Sequence, residues 1–143
     1  MQVLYTASAL ATGDGRDGHV RTSDGIVELD LAAPKELGGA GGAANPEQLF
    51  AAGYAACFHS ALRRAARRAK ADVTGSVVQA EVGIGPNGSG GFGLTVALVV
   101  DLPAVPRAAA EQLVAQAHQV CPYSNATRGN IEVALTVREA LAA

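Results

Sequence analysis

"NPEQLFAAGYAACFHSALRRAARRAK", residues 45–70, decides the fold. Asn45 suits an N-cap, Pro46 the first helical position, and Glu47 the positive end of the helix dipole. The segment therefore predicts one long helix reaching about Lys70. From Leu49 to Leu62 it is apolar on every face, which predicts burial on all sides. In so short a chain that burial calls for a partner subunit besides the chain's own sheet. Arg63, Arg64, Arg67, Arg68 and Lys70 place cations at the negative end of the dipole, where a solvated helix terminus accounts for them. Mid-helix sits Cys57, one of two cysteines in 143 residues. A thiol where alanine would serve is the feature to explain.

Working outward, residues 3–10 alternate loosely and predict a strand. "TGDGRDG" at 12–18 is turn chemistry. Residues 19–31 predict a hairpin turning on "SDG". Residues 32–46 form a glycine-rich loop, long enough to suggest either a mobile lid over a site or a connection needing unusual backbone angles. Downstream, 73–85 and 91–101 read as two strands joined by "PNGSGG". A second helix is expected over Arg107–Val120, stopped by Pro122, with a turn at Asn125–Asn130. "IEVALTV" at 131–137 alternates as the last strand. The order gives an α+β class with a largely antiparallel sheet packed on a long buried central helix. A chain of 143 residues fits a single domain spanning 1–143.

Hydrophobic residues make up 49% and charged residues 17%, with a net charge of −2. That is a globular composition without the basic excess of a nucleic-acid binder. The near-apolar run Leu49–Leu62 is too short for a membrane helix. The N-terminal sequence carries no signal-peptide pattern, so the expected compartment is the cytoplasm. There, two cysteines point to redox or catalytic use more than to a permanent staple, against the plain alternative of two inert buried thiols.

The cysteines lie 64 positions apart, which excludes a CxxC motif. Cys57 with His59 and His118 with Cys121 raise a zinc question. Residues i and i+2 point to opposite sides of a helix, so Cys57 and His59 cannot face one ion, and no metal is expected. What remains is a reacting thiol and a second thiol that resolves its sulfenic acid. A thiol mid-helix in apolar surroundings has a raised pKa and needs a cation to ionise it. Arginine suits that task because it stays charged when desolvated. Arg16, Arg21, Arg107, Arg128 and Arg138 are the candidates, and residue physics does not choose among them.

"NPEQLFAAGYAACF" together with "VCPYSNATRGNIEV", extended by "GRDG" and "ELGGAGGAANPEQ", resembles the organic hydroperoxide resistance (Ohr) branch of the OsmC/Ohr family over essentially the whole chain. The resemblance implies a cysteine-based thiol peroxidase that reduces organic and fatty-acid hydroperoxides to alcohols. It implies that Cys57 is the peroxidatic thiol and Cys121 the resolving one. Arg16 matches the catalytic arginine and Glu47 the glutamate that orients it. It further implies an OsmC/Ohr-like fold and an intertwined homodimer with sites near the subunit interface. No cofactor or metal is implied. The Cys57–Cys121 disulfide would be reduced by an external dithiol, dihydrolipoamide or a lipoylated protein.

Ten residues of helix between Glu47 and Cys57 amount to about 15 Å of rise. If both serve one site, either the helix breaks near Gly53 or Glu47 reaches across the dimer, and the second is favoured. On this reading Arg16, in a glycine-flanked turn, could swing with redox state. The rival from another class is a non-enzymatic binder of fatty-acid-like amphiphiles in the same apolar pocket, which would not need both thiols.

Overall fold

A computed structural model of the chain describes residues 1–138. It resolves into two compact units, one ending at Leu49 and one beginning at Phe50.

The first unit is a three-stranded antiparallel sheet in the order β1 (Ala9–Thr12), β2 (His19–Thr22), β3 (Glu28–Asp30). Ala11 and Leu29 both stand opposite Val20. The β2–β3 hairpin is as expected. The first strand is shorter than the alternation at 3–10 suggests. Its last cross-strand bond runs from Ser23 N–H to Ser8 O, and before that the chain has no strand beside it in this sheet. Leu4 and Tyr5 consequently stand exposed. Between β1 and β2 a 3-10 turn, Gly15–Asp17, carries Arg16. Gly18 closes that turn so tightly that a Cβ there would lie 2.1 Å from the Thr12 carbonyl oxygen. The glycine-rich loop is also built on backbone need: Gly38, Gly41 and Gly42 have positive φ, a conformation that side chains disfavour.

Helix α1, Pro46–Ala69, bridges the two units in sequence. Asn45 Oδ1 accepts from the Gln48 amide, and Gln48 Oε1 accepts from the Asn45 amide. This reciprocal pair satisfies two donors that the helix start would otherwise leave open. At the far end Lys70 adopts φ 55° and Ala71 N–H reaches the Ala66 carbonyl, a left-handed terminus usually given to glycine.

The second unit packs α1 on β4 (Val77–Pro86), β5 (Phe92–Asp101), α2 (Arg107–Val120), α3 (Pro122–Thr127) and β6 (Val133–Arg138). Tyr54, Phe58 and Leu62, spaced four apart on α1, meet Leu98 and Val100 of β5 and Leu113, Val114 and Ala117 of α2. All are buried. Each large apolar side chain contributes about 1.5–3 kcal/mol on leaving water. β4 and β5 pair antiparallel from Val77 opposite Asp101 to Pro86 opposite Phe92.

Three expectations need correction. Among the described residues there are two three-stranded sheets, not one, and β6 joins β5 in parallel, Val96 beside Val133. A parallel neighbour requires a crossover, and α2 supplies it. Pro122 does not end helical structure but begins α3, because a missing N–H costs nothing at a first helical position. Full burial of α1 was expected only with a partner subunit, and within the single chain Ala52, Ala56 and Ser60 are exposed at four-residue spacing. Among the described residues, no helix is long and apolar enough to cross a membrane.

Candidate active site

The two thiols, remote in sequence, meet within the second unit. Cys121 occupies the junction between α2 and α3. Its N–H donates to Ala117 O at 2.8 Å and its carbonyl accepts from Asn125 N–H at 2.9 Å, so both helices fix its backbone. Its side chain is fully buried. Its Sγ lies 3.6 Å from Cys57 Sγ, with the Cys121 thiol as donor. Cys57, half-buried on α1, is the one that solvent reaches. Burial pushes the Cys57 thiol up from its ordinary pKa, and the neighbouring Cys121 adds to that. The opposing influence is the main-chain N–H of Tyr123, which favours the charged form of Cys57.

A buried polar network joins the segments that carry the thiols. Tyr54 OH lies 2.9 Å from Ser124 Oγ and 3.2 Å from Thr127 Oγ1. His118 Nδ1 completes it, 2.8 Å from Ser124 Oγ. Burial, then the Arg128 charge, holds the His118 pKa below its ordinary value. Among the described residues no buried side-chain nitrogen or oxygen is left without a partner. Alongside, Phe50, Tyr54 and Tyr123 form an aromatic cluster, with ring centroids 5.6–6.2 Å apart.

The first unit holds the other predicted pair. Arg16 grips Glu47 with two parallel bonds, Nη1 to Oε2 at 2.9 Å and Nη2 to Oε1 at 2.6 Å. The Glu47 side chain is 11% exposed and that of Arg16 41%. The Arg16 guanidinium holds the Glu47 carboxyl below the usual carboxylate range, and Glu47 raises Arg16 in turn. A forked pair of this kind fixes the direction of the guanidinium as well as its charge.

The other candidate arginines are engaged elsewhere. Arg21 faces Glu28, Arg107 bonds Glu111, Arg138 bonds Asp101, and Arg128 bonds Asn125 and the His118 carbonyl. Of the histidines raised with zinc, His59 bonds Ser76 and His118 bonds Ser124. Helix α1 does not break at Gly53. Glu47 and Cys57 are therefore separated by ten residues of unbroken helix. A cavity of about 690 Å³ lies along β4, β5 and the approach to β6, lined by Glu81, Leu94, Thr95, Val96 and Ile131 among others. Neither cysteine lines it.

Sequence reasoning missed Tyr54, Tyr123, Ser124 and Thr127. The available signal was the spacing: Tyr54 precedes Cys57 by three residues and Ser124 follows Cys121 by three. On helices, such neighbours share a face with the cysteine.

The family model described as OsmC-like protein matches residues 39–136. The chain is 54% identical over 138 residues to the organic hydroperoxide resistance protein of Xanthomonas axonopodis pv. citri, covering 95% of this chain and 96% of that one. Among solved structures it resembles the organic hydroperoxide resistance protein of Elizabethkingia anophelis (TM-score 0.93, 54% identity, 98% of this chain and 100% of that one). It also resembles OhrB of Bacillus subtilis (TM-score 0.86, 41% identity, 95% of this chain and 100% of that one).

Proposed function

The chain belongs to the Ohr branch of the OsmC/Ohr family, and from that premise we propose that it is a thiol peroxidase that reduces organic and fatty-acid hydroperoxides. The Cys57 thiolate attacks the distal oxygen of ROOH. The O–O bond breaks, Cys57 becomes a sulfenic acid, and the alkoxide leaves and takes a proton as ROH. Cys121 sulfur then attacks the sulfenic sulfur, the hydroxyl departs with the thiol proton as water, and a Cys57–Cys121 disulfide forms. An external dithiol, dihydrolipoamide or a lipoylated protein, reduces it and is itself oxidised to a disulfide.

The observation that carries this reading is the 3.6 Å between the two sulfurs. The division of labour follows from exposure: the accessible thiol meets the peroxide and the buried one waits behind it. The aromatic cluster of Phe50, Tyr54 and Tyr123 offers an apolar wall for a lipid-like tail. Arg16, held by Glu47, supplies the positive charge that ionises the thiol and polarises the peroxide.

The pair sits at the start of α1, about 15 Å of helical rise before Cys57. That separation favours a homodimer in which Arg16 and Glu47 of one subunit serve the Cys57 of the other. A dithiol-reduced cycle also suits the reducing cytoplasm.

The test is steady-state consumption of cumene hydroperoxide with dihydrolipoamide as donor. Turnover in the wild type and its loss in Cys57→Ser are expected. No consumption by the wild type would leave the amphiphile-binding reading as the one to pursue.

A further inference from the structure

We propose that Gly53 and the ring of Tyr123 form a positioning device, in which the bare helix surface at Gly53 seats the ring and so sets the α2–α3 junction, with Cys121 and the Tyr123 main chain, against Cys57. The first observation is the glycine itself. It interrupts a run of alanines, Ala51, Ala52, Ala55 and Ala56, in the middle of α1. Alanine is the better helix former, and Gly53 is not among the residues with positive φ. The backbone does not need glycine there, but the space does. A Cβ at Gly53 would lie 2.9 Å from the Tyr123 hydroxyl oxygen and 3.2–3.3 Å from two ring carbons.

The second observation is how the ring is confined. Phe50, Gly53, Tyr54 and Cys57 form one i, i+3, i+4, i+7 stripe of the helix. Tyr123 packs against both aromatics of that stripe, 6.2 Å from Phe50 and 5.6 Å from Tyr54. The ring cannot rise off Gly53 without disturbing those contacts. The Tyr123 hydroxyl makes no hydrogen bond among the described residues, so its ring and not its oxygen does the seating. The third observation is what the ring carries: Cys121 lies two residues upstream at the helix junction, with its Sγ 3.6 Å from Cys57 Sγ, and the Tyr123 main-chain N–H favours the charged form of Cys57. Displacing the ring therefore displaces that amide and the approach of the second thiol. Gly53 and the Tyr123 side chain act through that amide and are positioning residues.

This role rests on the peroxidase reading only for its consequence. The device itself is tested without peroxide, by titrating Cys57. The Tyr123 amide and the Cys121 thiol are the groups acting on Cys57 among the described residues. The titration is therefore done in a Cys121→Ser background, following thiolate absorbance and iodoacetamide alkylation against pH. Gly53→Ala is expected to raise the Cys57 pKa by about half a unit, roughly a three-fold loss of thiolate below that pKa. Thermal stability should be unchanged or higher. Tyr123→Phe alone should leave the Cys57 titration unchanged. Added to Gly53→Ala, it removes the closest clash and should restore part of the titration. Tyr123→Ala should raise the pKa as Gly53→Ala does. An unshifted Cys57 in both folded Gly53→Ala and Tyr123→Ala would overturn the proposal. So would a shift in Gly53→Ala that Tyr123→Phe leaves wholly in place.

Discussion

Tyr54 and Ser124 join hydroxyls at 2.9 Å, 70 residues apart in sequence, each one helical turn from a cysteine. The bond fastens α1 to α3 at the place where Cys57 and Cys121 face each other. Removing the Ser124 hydroxyl breaks its bonds to both Tyr54 and His118, while Tyr54 keeps Thr127, at a cost of about 1–3 kcal/mol. Ser124→Ala should therefore lower stability by that order in urea titration. It should also slow disulfide closure more than Cys57 oxidation in stopped-flow measurements. Equal slowing of both steps would separate the network from the approach of the thiols.

Cys121→Ser should consume about one equivalent of hydroperoxide and then stall or over-oxidise, because Cys57 sulfenic acid has no thiol to condense with. Multiple turnover at the wild-type rate with a dithiol donor would remove Cys121 from the cycle.

Glu47 has a depressed pKa because Arg16 holds its ionised form. Its contribution to stability is therefore fully present above the ordinary glutamate pKa of about 4.3 and is lost as pH falls through the lower folded value. Glu47→Gln should melt below the wild type at pH 7, and the gap should narrow as pH falls through the lowered folded pKa of Glu47. A gap that stays constant with pH contradicts the ion-pair account.

Two histidines should titrate on opposite sides of the ordinary value of about 6.5. Asp30, then Glu28, raise His19. Its contribution is present below 6.5 and lost as pH rises through the folded pKa. His118 is held down by burial and by Arg128, so the fold is weakened as pH falls below 6.5. Proton NMR of the imidazole signals resolves both, and the reverse order would show the contacts to be misassigned.

Lys70 ends α1 with φ 55°. Lys70→Gly should gain about 1 kcal/mol, since glycine enters this conformation without the Cβ clash. A loss of stability in urea would mean that the lysine side chain makes up for its strain.

The readable parts of the sequence were those where local chemistry and tertiary packing agree. Asn45-Pro46 opened α1 as its residue types require, and Arg107–Val120 is a helix over the span its spacing suggested. The failures were places where the deciding contact is remote. Nothing in "IEVALTV" tells a parallel from an antiparallel neighbour. Pro122 reads equally as a stop or a start until Cys121 is seen capping α3. The four predicted site residues fell into two close pairs, Arg16 with Glu47 and Cys57 with Cys121. The residues that hold the thiols in place, Tyr54, Tyr123 and Ser124, stand near the cysteines in sequence, but their role depends on partners some 70 positions away.

The central claim is that the two thiols work as a peroxide-oxidised, dithiol-reduced pair. It is tested most directly by intact-mass spectrometry of the reduced protein after one equivalent of tert-butyl hydroperoxide, before and after dihydrolipoamide. A loss of two hydrogens, mapped by proteolysis to Cys57–Cys121 and reversed by the dithiol, is the predicted result. Thiols that stay unmodified after minutes of exposure would contradict it.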